Sequence, residues 1–459
     1  RQKGDLDLAI ANFTQALAVD SRSAEAYYNR GMAHAEKGNL DQSLADFSSA
    51  LTLNLQYAQA LLRRGDVYRR GRQDPDKAIA DFSQAMVINP QMAEAYNLRG
   101  NAYLDKEDLT RALADFDQAI VLSPDDSEGY INRGAVHNRK KDFEKAVADY
   151  NKAISLSPKS ARAFHQRANL YYNKADFDAA IADYTQSITL DPKNAVTYLD
   201  RGDAQGRTCE YDKAIADYTE AVAIEPKYAQ AFYRRGQARC HKNQWEEAVA
   251  DFTQTLTLDP KSALAYFERG FARLNFRKEE WNAGVADFAS AIALQPKHAR
   301  AYAERARMYS LLGAFDQAIT DANSALALDP NQVVALVTRG QSYGAKNNKA
   351  QAVQDLNAAI AAGAQVLVQD PKNAEVYHFR GIAYQGIGKA AEGLADYAQA
   401  IAVDPTYAPA YWARALYYHG IKKWKEARAD YEKCTEIDPK GLVGAFAAEN
   451  LKLLGNKGK

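Results

Sequence analysis

The chain has 459 residues, with 58 basic and 58 acidic side chains, so its formal net charge is zero; this balance excludes the basic footprint of a nucleic-acid binder. Its apolar share of 47% fits a packed globular chain, and no apolar run reaches membrane-spanning length: the longest, Ala358 to Val368, is broken by Gly363 and Gln365. Cys209, Cys240 and Cys434 lack paired metal-site spacing, and no catalytic constellation is visible, so no metal, no cofactor and no enzymatic chemistry are expected.

Residues 1–22 read as the second helix of a truncated unit, because Gly4-Asp5 matches an inter-helix turn and Phe13 matches Phe47 one unit later. A longer protein is therefore expected, with any targeting sequence in the part that precedes Arg1, and a cytoplasmic or periplasmic setting. From residue 23 onward a period takes over. Pro90, Pro124, Pro158, Pro192, Pro226 and Pro260 each follow the last by 34 residues, the mark of a solenoid.

Each unit reads as two helices. In the unit from Ala93 to Pro124, Tyr96, Gly100 and Tyr103 share a face of the first; Leu109, Ala112, Leu113, Phe116, Ala119 and Ile120 share a face of the second, which the proline ends. Neither helix can bury its face alone, so neighbouring units must stack. The spacing predicts ten units over 23–371, two over 372–440, and a capping helix with a basic, glycine-rich tail over 441–459, the cap resting on Leu442, Phe446 and Leu453. Three units break the period: one extra residue in "RGRQDPDK", two in "NFRKEEWNAG", and seven where "AAIAAGAQVLVQDPK" replaces the usual run to proline. Seven residues are nearly two turns, so that second helix is expected to lengthen with its apolar face intact and to project from the stack.

One pairing recurs throughout. An arginine sits inside the first helix of all twelve full units, from Arg30 and Arg64 through Arg380 and Arg414; an aspartate recurs in the second, from Asp46 and Asp81 to Asp430. In the Ala93–Pro124 unit Arg99 adjoins Gly100, where the missing side chain lets the helices approach, so Arg99 should meet Asp115 at the seam. A buried guanidinium needs a carboxylate, and one ion pair per unit is predicted.

The order aromatic, glycine, tyrosine, alanine, aromatic, proline, here Tyr96, Gly100, Tyr103, Ala112, Phe116 and Pro124, resembles the tetratricopeptide repeat over nearly the whole chain. The arginine departs from that family's usual leucine. The resemblance implies an all-α fold, a right-handed superhelical α-solenoid of stacked antiparallel helix pairs, whose first helices line a concave groove for a peptide or a partner helix. Carried onto this sequence, the groove positions toward the N-terminal middle are polar and slightly basic: Asn97, Asn101, Asn138, Arg139, His165, Asn169, Asn173 and Arg207. Asparagine amides offer donors and acceptors to peptide backbone. Further along, Leu264, Phe267, Phe271 and Leu274 form one apolar helical stripe, a candidate anchor for a partner or a packing surface for the next unit. The family's grip on chaperone tails uses a lysine four residues before a groove asparagine; Asn97 and His165 stand there before Asn101 and Asn169, which argues against that ligand. The expected function is a non-enzymatic protein-interaction scaffold within a larger assembly, without nucleic acid or membrane insertion. The alternative is the recruiting arm of a larger enzyme, glycosyltransferase-like, whose catalytic domain lies outside this chain.

Overall fold

The computed structural model describes residues 3–455. Among them the regular elements are 26 α-helices, one π-helical segment and one 3-10 turn. The chain divides into two compact units, residues 1–204 and 205–459. In the first, the lone helix Lys3–Val19 is followed by helix pairs from Ala24–Lys37 with Leu40–Leu53 to Ala161–Asn173 with Phe177–Leu190. In the second, pairs run from Ala229–His241 with Trp245–Leu258 to Ala408–Gly420 with Trp424–Ile437, and Leu442–Leu454 closes the series. Within each unit, consecutive helices pack on one another, which is the α-solenoid the period predicts.

The pairs form for local reasons. Ser23, Ser160 and Ser262 cap first helices, and Asp74, Asp108 and Asp176 cap second helices, each accepting a backbone N–H of the first turn. Within a pair, a residue of left-handed conformation turns the chain, as at Gly38, Glu107 and Lys141. Gly100 is needed for close approach: a Cβ there would lie 2.6 Å from the Phe116 ring. Phe116 itself is fully buried, like Phe47, Phe82, Tyr150 and Tyr184 at the same position.

The arginine–aspartate pairing is present and more extensive than the sequence suggests. In each of the eleven couples that lie within one unit, the guanidinium meets the carboxylate at 2.6–2.8 Å, and the aspartate is nearly buried. Arg201 and Asp217, the remaining couple, lie in different units. The bond is two-pronged: Arg99 donates through Nε to Asp115 Oδ2 at 2.8 Å and through Nη2 to Oδ1 at 2.7 Å. The third nitrogen reaches sixteen residues back, onto the second helix of the preceding repeat, where Arg99 Nη1 donates to Ser83 Oγ at 3.0 Å. Arg30 does the same to Thr14, Arg64 to Ser48, Arg133 to Asp117, Arg235 to Thr219 and Arg339 to Asn323. Arg305 and Arg414 find Ala289 and Ala398 at that position, which have no acceptor.

The irregular repeats absorb their extra residues differently. The single insertion becomes the π-helical segment Val67–Gly71, and the double one the 3-10 turn Lys278–Glu280. The seven-residue insertion lengthens Lys349–Gln369 to 21 residues against the usual 14. Its added turns are packed rather than projecting: Ala362 and Leu367 are buried, and Gly363 lies against Arg380. The terminal helix buries Gly444, Ala447 and Leu454, while Leu453 is exposed; the basic tail beyond Gly455 lies outside the described residues. The three cysteines are free, and Cys434 is buried.

Replacing Arg99 with Leu strands the Asp115 carboxylate and should cost about 2–4 kcal/mol in urea unfolding, with Arg99→Leu/Asp115→Leu recovering a large part. Arg305→Leu should cost roughly 1 kcal/mol less than Arg99→Leu, because no acceptor on the preceding repeat is lost. Strict additivity in the double variant would refute the pairing.

Candidate functional site

The first unit carries most of the polar groove positions, and they divide in use. Asn97 is buried and spends its amide on Asp126 at 3.4 Å. Asn101 is half-buried, and Arg139 is exposed with its guanidinium on the Leu104 carbonyl at 3.3 Å. His165 Nε2 lies 2.8 Å from Asp200 Oδ2, and Asn169 accepts from Tyr184 Oη at 2.5 Å. Three of the predicted residues come together: Asn138, Asn169 and Asn173 line one depression of about 290 Å³, with Tyr172, Asp200 and Asp203. Asn173 is exposed at its edge. Arg207, exposed, belongs to the second unit.

In the second unit the apolar stripe is not a free surface. Leu274 and Phe267 are core residues, buried among Trp281, Phe288 and Met308, the packing role that stood beside the anchor in the sequence. Phe267 also stacks on His298 at 4.9 Å. Phe271 is half-buried and meets Trp245 edge-on at 6.4 Å; Leu264 alone of the four is exposed. The physical reason is the second helix of the same repeat, where the inserted turn brings Trp281 under Leu274, its Nε1 donating to the Leu274 carbonyl at 3.1 Å.

A helix does reach this stripe, and it is the chain's own. Leu442, which opens the terminal helix, packs against the cluster of Phe267, Phe271 and Leu274. Just before it, buried Asp438 accepts from Trp245 Nε1 at 2.9 Å, Asn243 reaches the Ile437 carbonyl at 3.4 Å, and Lys440 approaches Glu247 at 3.7 Å. The residues after Trp424 thus fold back on repeats almost two hundred positions earlier. Burial pushes the Asp438 carboxyl up to about 6, against the pull of Trp245 and of the Gly444, Gly441 and Val443 amides.

This closure leaves a hollow of about 520 Å³ between the inner ends of Ala229–His241, Ala263–Phe276 and Ala299–Leu311 and the turns that precede Ala374 and Ala408. Its ionic groups escaped the sequence reading. Glu304 is fully buried between Arg300 and Arg307, at 3.8 and 3.4 Å, and burial raises its pKa. Arg300 donates to both oxygens of Glu375 at 3.1 Å; burial opposes its charge, and Glu375, Glu304 and Glu268 outweigh that. Burial lowers the pKa of His241 and raises that of Glu268. The available signal was positional: Glu268 and Glu304 each directly precede the repeat arginine, a position occupied by Leu98 and Asn132 in earlier units. Among the described residues no group of three or more His, Cys, Asp and Glu side chains is arranged to hold a metal ion, and no helix is long and apolar enough to cross a membrane.

A family profile described as Tetratricopeptide repeat matches residues 55–127, 97–161 and 269–333, and related profiles of the same description match 24–57, 161–194, 230–262, 374–407 and 408–440. A further profile, TPR repeat, matches 1–38 and 210–240. The chain is a tetratricopeptide-repeat protein. As a member of this family it is a protein-interaction scaffold. Among solved structures, this TPR protein is similar to a tetratricopeptide repeat protein from Parabacteroides merdae, at 18% identity over 55% of this chain and 98% of that one, with a TM-score of 0.44. It is also similar to MamA, at 24% identity over 36% and 95% with a TM-score of 0.34, and to the APC/C hetero-tetramer Cut9-Hcn1, at 15% identity over 98% and 93% with a TM-score of 0.42. No curated protein matches it.

The TPR closure carries a pH signature. The folded-state pKa of Asp438, about 6, lies above that of an ordinary carboxyl, so the folded protein takes up a proton that the unfolded chain does not as pH falls through 6. Stability from this group therefore grows below pH 6 and is lost above it. Relative to Asp438→Asn, the wild type should gain roughly 1 kcal/mol between pH 8 and pH 5, read from paired urea titrations. A difference that stays flat with pH would show that Asp438 titrates as a solvated carboxyl.

Proposed function

We propose that this TPR scaffold holds an extended segment of a protein partner along the inner face of the first helices in residues 1–204, gripping its main chain with side-chain amides. The observation that carries this is the depression shared by Asn138, Asn169 and Asn173. An amide presents a donor and an acceptor on one plane, the complement of a peptide unit, whatever side chains flank it. Tyr184 holds the Asn169 oxygen, which leaves its NH2 as the free end, and His165 fixes Asp200 on the same wall. The partner is thus read for an extended backbone first and for side chains second. The scaffold acts by holding partners in an assembly, and no chemistry is assigned to it.

Peptides selected by display against the full chain test this. Their affinity should fall about tenfold or more in Asn138→Ala/Asn173→Ala, each lost amide bond being worth roughly 1 kcal/mol, with an unchanged melting temperature. Glu144→Ala, an exposed change on a second helix, should leave affinity as it was. Equal losses in both variants would place the peptide elsewhere.

A further inference from the structure

We infer that the hollow closed within residues 205–459 is a binding site for a primary alkylammonium group, with Glu268 as its counter-charge and the aromatic wall of Trp245 and Phe271 as the seat of its alkyl chain. The site is independent of the backbone-holding groove in residues 1–204, and the failure of either reading leaves the other standing.

Size and lining come first. A volume of about 520 Å³ lies within the roughly 300–1,000 Å³ usual for small-ligand sites. Trp245, Phe271, Val403 and Pro409 give it apolar walls, and Glu268 and Asn275 give it polar points.

Orientation and charge single out Glu268. Gln237 accepts from Arg234 at 3.2 Å through Oε1, so its Nε2 is turned toward Glu268 Oε1, which it meets at 3.1 Å, and toward Tyr233 Oη, also at 3.1 Å. The carboxylate is therefore aimed by a fixed amide. Yet among the described residues no cation stands within ion-pair distance of it. Arg300, which approaches from the next repeat, is committed to Glu375 and lies over the Phe267 and Phe271 rings at 5.9 and 5.8 Å. Arg307 is committed to Glu304 at 3.4 Å. Of the remaining charges at the wall, Asp370 and Asp404 are negative and Lys372 is positive, so the lining keeps an excess of negative charge once the committed pairs are set aside.

A carboxylate held in place, with Arg300 acting on it only from beyond ion-pair distance, is costly where water is restricted. The raised pKa of Glu268 records that cost. An ammonium group would remove it, forming a charge-assisted hydrogen bond, and its methylenes would cover the aromatic wall. The group could arrive on a free diamine or on a lysine side chain of a partner, and the two are separable.

The full chain is titrated with putrescine and, separately, with Nα-acetyl-lysine methylamide, read by calorimetry; Nα-acetyl-norleucine methylamide is the uncharged control. Saturable binding of either amine, weakened about tenfold or more in Glu268→Gln and less in Glu268→Asp, supports the site. Putrescine binding alone identifies a free diamine as the source, and lysine-amide binding alone a partner side chain. No saturation by either amine, equal binding by Glu268→Gln, or equal binding of the norleucine control to the wild type would overturn it. The control keeps the test decisive even if the glutamine variant does not fold.

Discussion

The structure depends on a three-way bond made by one guanidinium. Each repeat arginine clamps the carboxylate about sixteen residues ahead with two nitrogens and, in most repeats, an oxygen sixteen residues behind with the third. The first contact joins the two helices of a repeat; the second joins the repeat to its predecessor. An arginine suits this role where lysine would not, because its planar fork fixes the directions of several donors at once. It also explains how a charged residue can stand where a leucine would otherwise pack: the aspartate is nearly buried, but the arginine side chain keeps 12–24% of its surface exposed, so residual solvation and its bonds together offset desolvation. Tyr96 and Tyr103 flank Arg99, the latter ring lying 5.8 Å from its Cζ, and similar aromatic contacts accompany most of the other repeat arginines.

The same bond shows where the chain tolerates insertions. The extra residues at Val67–Gly71 and Lys278–Glu280 lie in turns between arginine and aspartate, and the pairs survive with sequence separations of 17 and 18 instead of 16. The seven residues added to Lys349–Gln369 fall after Asp355, so Arg339 keeps its pair at 2.6 Å. What changes is the link to the next repeat, where Asn357 turns to the Val353 carbonyl of its own helix. All three insertions therefore spare the pairing within a repeat, and only the longest changes the link to the next.

Much of this was legible. The period located the helix pairs, and a charged residue at a helix seam implied its counter-charge. The rearward contact was legible in principle, since Ser, Thr, Asn or Asp stands two residues after the aspartate in most units and alanine in two, but a search confined to single units does not see it. The apolar stripe shows why spacing falls short: Leu264, Phe267, Phe271 and Leu274 do share one side of a helix, yet periodicity says nothing about which neighbour covers which part. Trp281 covers Leu274, Trp245 meets Phe271, and Leu264 is left bare. The closure through Asp438 was beyond reach, because it joins residues 193 positions apart and no repeat rule relates them.

That closure distinguishes the terminal helix from a generic cap. A cap needs only an apolar face toward the last repeat, which Ala447 and Leu454 supply. The segment "DPKGLVG" does more. Side chains at Gly441 or Gly444 would collide with Asp438, at its carboxylate and its carbonyl respectively, so the two glycines let the chain wrap tightly around that residue and point its oxygen at Trp245. With Asp438 held by backbone amides on one side and an indole N–H on the other, the turn has a single geometry, and Leu442 is delivered onto the Phe267–Leu274 cluster as a consequence. The candidate sites of the two units thus differ in their lining. One presents amides to solvent. The other is covered by its own C-terminal repeats, and what remains open there is a hollow with the Glu268 carboxylate on its wall.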